Sequence, residues 1–183
     1  PQRLARAIES LDGDSRARRE ALAALASAGD AGIEACIEAL ANNPGQRRRA
    51  GLLQALTAMH PAVDQPLLAL LDKARGNLRG DAARLAGELR LFESLPWLAM
   101  LSVAPDPQTS AAAQRALRAF ELPQPSPAEA ATLVRQELTD LIERGAENRD
   151  VAAASNPWWT WDEGSQDLRK IEASPAQKRA LKA

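Results

Sequence analysis

Three stretches of this chain can be laid over one another, and that self-similarity limits the fold more than any other feature. The first runs through residues 19–26, 29–32 and 33–40, the second through 49–59, 60–63 and 65–71, the third through 81–91, 92–94 and 95–101. Each reads as a helix, a short turn and a second helix. The period is about 30 residues, the spacing of helical arrays, in which one pair buries its apolar face only against the next. A looser fourth pair follows. Residues 111–120 form its first helix, 122–127 a proline-rich connector, and 127–145 a longer helix carrying Leu133, Val134, Leu138, Leu141 and Ile142.

The helical reading has local support. Ile33, Cys36, Ile37 and Leu40 recur at i, i+3, i+4 and i+7, the signature of one buried helix face. Alanine, leucine, arginine and glutamate dominate the composition, and all favour helix. Asp14 or Ser15 is expected to cap the helix near Arg16, Asp64 the one near Gln65, and Ser126 the long helix. Pro66, Pro96 and Pro127 fall in first turns, where a missing N–H is harmless, and Gly145 suits a helix end. Residues 1–11 read as the lone second helix of a preceding pair. The chain is therefore expected to begin inside a longer array, with its targeting information missing and a cytoplasmic location favoured.

The third unit, Arg79-Gly-Asp-Ala-Ala-Arg-Leu-Ala-Gly-Glu-Leu-Arg-Leu-Phe-Glu-Ser-Leu-Pro-Trp-Leu98, resembles the short HEAT repeat of the phycobilisome-lyase type. Ala82, Ala83, Ala86, Gly87 and Leu89 stand at the matching places, with Ala86 where leucine is usual. The resemblance spans residues 16–142. It implies an all-α, right-handed superhelix of the HEAT or armadillo kind, used mostly to bind other macromolecules. Two segments follow from it: helical repeats over 1–146, and a tryptophan-rich capping segment with the start of a further helix over 147–183.

Three of the four tryptophans lie in Trp158-Trp-Thr-Trp161. The segment through Asp162 resembles the Trp-Arg-Trp-Asp stretch of some bacterial HEAT-repeat proteins. Aromatic residues and threonine favour extended structure. Residues 158–162 and 167–172 are thus expected to form a hairpin, with Trp159 and Trp161 on one face and Trp158 on the other. An isolated hairpin is marginal in water, so one face must pack on something. The expected place is the open side of the last helix pair, with Trp158 left for a surface role. A ligand or peptide site at the tryptophans stays as the alternative.

Chemistry is sparse. The chain has one histidine and one cysteine among 183 residues, with 23 basic and 24 acidic side chains. His60 falls in a turn and Cys36 on a buried stripe, so no Ser–His–Asp set, Cys–His pair or zinc cluster can be assembled. Asp12-Gly-Asp-Ser15 lacks the distal glutamate of a calcium loop. Catalytic residues, metals and cofactors are accordingly not expected. The charge is uneven: first helices are net basic, second helices net acidic. By resemblance the second helices line the concave side. Glu34, Glu38 and Asp72 become candidates for holding a peptide or protein segment there. Arg47, Arg48 and Arg49, with Arg16, Arg18 and Arg19, are the alternative patch for an anionic partner. A nucleic-acid protein of the alkylpurine DNA glycosylase type needs a basic concave face, which the charge distribution disfavours.

Overall fold

A computed structural model describes residues 2–147, 157–162 and 164–172. It is mostly helical, with one small antiparallel sheet. The described helices are α1 (Gln2–Ser10), α2 (Ser15–Ser27), α3 (Asp30–Ala41), α4 (Gln46–Ala58), α5 (Asp64–Lys73), α6 (Gly76–Glu88), α7 (Leu95–Ser102), α8 (Pro107–Ala119) and α9 (Pro127–Glu147). A 3-10 turn, Phe92–Ser94, leads into α7, and strands β1 (Pro157–Asp162) and β2 (Asp167–Glu172) form a hairpin. None of the described helices is long and apolar enough to cross a membrane.

Most of the helix ends follow from local chemistry. Asp14 Oδ1 accepts from the N–H groups of Arg16 and Ala17 at 2.9 and 2.8 Å, satisfying donors that the first turn leaves unpaired. Ser126 and Glu129 close a reciprocal box: Ser126 N–H donates to Glu129 Oε2 at 2.7 Å, and Glu129 N–H donates to Ser126 Oγ at 3.3 Å. Asp64 departs from expectation. It lies inside α5, after Val63, and its Oδ1 sits 2.8 Å from His60 Nδ1. Gly145 also fails to end its helix, since α9 continues to Glu147; a lone glycine costs only about 1 kcal/mol in a helix. The chain leaves α2, α6 and α8 through left-handed residues at corresponding places, Gly29, Arg90 and Glu121. After α6 and α8 the next N–H reaches back to the helix, Leu91 to Ala86 O at 2.9 Å and Leu122 to Leu117 O at 3.2 Å.

The first helices of the pairs form a row, α2 on α4, α4 on α6 and α6 on α8. Among the second helices, α5 meets α7 and α7 meets α9, while α3 and α5 are joined through the hairpin. Leucines fill the space between: Leu25, Leu52, Leu56, Leu67, Leu85 and Leu98 are fully buried, each removing apolar area worth roughly 2 kcal/mol. Small residues set the spacing. A Cβ on Gly87 would stand 2.7 Å from Ala116 Cα and 2.8 Å from its Cβ, so α6 and α8 touch backbone to backbone.

The hairpin strands match expectation, but their seat does not. β1 packs on α5 and β2 on α3, bridging two second helices near the front of the chain. At the last pair, Leu122 and Leu133 are left 41% and 44% exposed, and among the described residues the hairpin does not cover them. Trp159, Trp161 and Leu168 of the hairpin are buried mainly against α5, and its Lys170 meets Asp30 of α3. The expected helix over 176–183 lies outside the described residues.

Gly87→Ala tests the close contact. Helix propensity gains about 1 kcal/mol and forced overpacking costs about 1–3 kcal/mol. Because the obstacle is backbone, the net is expected to be a loss of about 1 kcal/mol in urea-unfolding stability.

Candidate functional site

The register of the hairpin defines a four-residue face. Trp159 pairs with Lys170 and Trp161 with Leu168, and directly opposed residues point the same way. Trp159, Trp161 and Leu168 are buried at 6, 7 and 5% exposure. Lys170 stands at the edge of this apolar patch. Its Nζ is 5.5 Å from the centroid of the Trp159 ring and 2.5 Å from Asp30 Oδ2, at the start of α3. The indole covers the lysine stem while the carboxylate takes the charge.

Glu34 lies one turn beyond Asp30 and is half-buried. Burial first, then the charges of Asp30 and Asp167, raise its carboxyl above the ordinary range, and Lys170 opposes them. Two carboxylates of α3 and one of the hairpin thus share the neighbourhood of one lysine. Glu38, a turn further along, is exposed. Asp72 is not part of this cluster. It ends α5 with Oδ2 3.4 Å from Lys73 Nζ, and its carbonyl accepts from Arg79 Nη2 at 3.1 Å.

The turn of the hairpin is built by Asp162. Its Oδ1 accepts from Ser165 N–H at 3.1 Å and Gly164 N–H at 2.9 Å. These bonds hold its carboxyl below the ordinary range, the Ser165 bond foremost. Asp162 is therefore a turn-former; Glu163 lies outside the described residues. Glu137, Asp140, Glu143 and Arg144, the expected charged face, lie on α9, but their side chains are outside what is described. Trp158 pairs in β1 with Ile171, but its side chain also lies outside what is described. Beside the turn opens a cavity of about 620 Å³, lined by Trp161 and Gln166 from the hairpin and by Ala41, Asn43, Asn77 and Gln108 among others from the helices. Its lining holds amides, a guanidinium and an indole. It can hydrogen-bond and stack, and among the described residues its lining holds no carboxylate, thiol or imidazole for proton transfer.

The Arg47–Arg49 run divides. Arg47 is exposed. Arg48 reaches Asp12, with Nη2 2.6 Å and Nε 2.8 Å from Oδ2. Arg49 ties α4 to α6. Its Nε donates to Asp81 Oδ1 at 3.1 Å and its Nη2 to Asn77 O at 3.1 Å. Asp81 Oδ2 is 2.7 Å from the same Nη2, an ion-pair distance outside hydrogen-bond geometry. Asp81 is 8% exposed, and burial pushes its carboxyl up despite the arginine. Arg16 pairs with Glu20 at 2.9 Å.

No family model, curated protein or solved structure matches this chain. Its site is thus read from its own geometry. Asp30, Trp159, Leu168 and Lys170 carry the hairpin seat, and only the tryptophan pair stood out in the sequence. Lys170 could have been found from the register opposite Trp159. Nothing local marks Asp30 as its partner. Among the described residues no group of three or more His, Cys, Asp or Glu side chains is placed to hold a metal ion.

Two measurements check this electrostatic picture. Arg49→Met, which keeps the stem, is expected to cost about 2 kcal/mol by stranding Asp81. Asp81→Asn removes a carboxyl whose folded pKa is raised, so wild type binds the proton better when folded than when unfolded. Between that raised value and the ordinary 3.8, wild type should gain stability relative to Asp81→Asn as pH falls. Unfolding curves across acid pH read both. Separately, burial pushes the Cys36 thiol up to about 12. Cys36 is fully buried, so a thiol reagent at neutral pH should label it only once denaturant unfolds the chain.

Proposed function

We propose that this chain is a non-enzymatic interaction module of the HEAT-like helical-repeat kind, a right-handed superhelix whose second helices form the surface that binds a protein segment. The row of first helices supports the repeat reading. One observation carries the binding reading. The second-helix side already holds an extended segment, the β1–β2 hairpin, which meets α3 some 140 residues away in sequence. A surface that seats one extended segment through indoles and a lysine has the chemistry to seat another. Stacked pairs present such surfaces over a long side instead of a reactive cleft.

Of the acidic residues of α3, Glu38 is exposed, Asp30 is exposed but bound to Lys170, and Glu34 is partly taken by the hairpin. A basic or apolar segment therefore fits the surface better than an acidic one. The anionic-partner patch is weaker than its sequence suggests, since Arg48, Arg49 and Arg16 are paired with Asp12, Asp81 and Glu20. That pairing leaves the nucleic-acid reading with little to draw on.

Affinity capture from native lysate with full-length wild type and Glu38→Lys tests the proposal. Charge reversal at the rim of such a surface should weaken the captured protein roughly fivefold, with the helical circular dichroism unchanged. Equal capture by both forms would remove the second-helix side from the binding reading.

A further inference from the structure

The seat of the hairpin has two halves. α5 supplies an apolar half, with Leu67, Leu70 and Leu71 buried. α3 supplies an acidic half, with Asp30 and Glu34 one turn apart. The docked face matches it side by side: Trp159, Trp161 and Leu168 buried, Lys170 against Asp30. We infer that this α3–α5 face is a recognition surface for an extended protein segment bearing two aromatic side chains two residues apart and a lysine across from the first, and that the chain's own hairpin is its built-in occupant, displaced when such a segment binds. This inference rests on the interaction-module reading and gives the partner its chemistry.

Three features separate a displaceable occupant from a permanent cap. The seat is larger than the hairpin. The cavity of about 620 Å³ beside Trp161 and Gln166 is walled on its other side by Asn43, Asn77 and Gln108, so a longer segment finds room beside the turn. The fit is also imperfect in charge. Asp167 brings a negative charge toward Glu34, beside Asp30. A segment with a neutral or basic residue in that place escapes the repulsion. Finally, the hairpin is a two-stranded sheet, which has little stability of its own. Its main contacts are with α3 and α5, while the first helices, α2, α4, α6 and α8, pack on one another without it. Its release leaves those first-helix contacts in place.

A tethered occupant competes at a high effective concentration, commonly in the millimolar range. A free copy of the segment therefore binds weakly until the tethered one is loosened. The probe is a labelled peptide of residues 157–172, closed head to tail through a D-Pro-Gly turn, since Pro157 and Glu172 pair across the strands. Its fluorescence anisotropy is titrated with full-length wild type, with Trp159→Ala/Trp161→Ala, and with Lys170→Glu. The last keeps both indoles in case the double variant loses helix by circular dichroism. Loosened chains are expected to bind the peptide at least about tenfold more tightly than wild type. Asp30→Lys placed in a loosened chain, or Lys170→Glu placed in the peptide, should weaken that binding about tenfold. Asp167→Asn in the peptide should strengthen it. Equal or absent binding by helical loosened chains, or indifference to Asp30→Lys, would overturn the inference. If the peptide fails while capture in lysate still responds to Glu38→Lys, the module reading stands and only the hairpin's role falls. If both fail, both fall.

Discussion

Burial of leucine and alanine between neighbouring helices is the interaction on which the rest of this structure depends. No single pair here can cover its own stripe. Leu52 and Leu56 on α4, and Leu85 and Ala86 on α6, are buried in a core shared with neighbouring helices. Small residues make that burial efficient. Gly87 and Ala116 bring two helices to backbone contact, and a Cβ on Gly32 would fall 2.1 Å from Leu25 O, so α3 leaves α2 at close range. Close packing of this sort leaves little space to relax into, which is why single methyl groups matter at those positions.

Charge is used in the same structure as a tie between helices. Arginines on α4 reach forward to Asp81 on α6 and back to Asp12 before α2. The Arg49–Asp81 pair is the more buried of the two, and its carboxyl still feels the cost of leaving water. A run of three arginines that looks like a patch for a polyanion in the sequence is thereby spent largely on holding neighbours in register. What remains open on the second-helix side is acidic at Glu38 and apolar at Met100 on α7 and Leu133 on α9, and the hairpin has claimed part of the α3 stretch. The hairpin does not cap the last pair: Trp159, Trp161 and Leu168 are buried against α5 and α3, and its lysine meets Asp30 there.

Much of this architecture is legible in the sequence, and the reason is range. Helix stripes depend on spacings of three and four residues, caps such as Asp14 and Ser126 on two or three, and a hairpin face on two. The paired strands, the Asp14 cap and the Ser126–Glu129 box therefore lie where local rules put them. Asp64 misled because a carboxylate before a helix and one inside its first turn look alike until His60 is seen beside it.

By itself the sequence determined the helix pairs, their leucine and alanine faces, the hairpin and the pairing of Trp159 with Lys170 across it. Only the tertiary structure decided which surface that hairpin covers and which arginines are left free. Those outcomes turn on contacts such as Lys170 with Asp30, 140 residues apart. Such contacts exist only after the chain has folded back on itself, and no spacing along the chain encodes them.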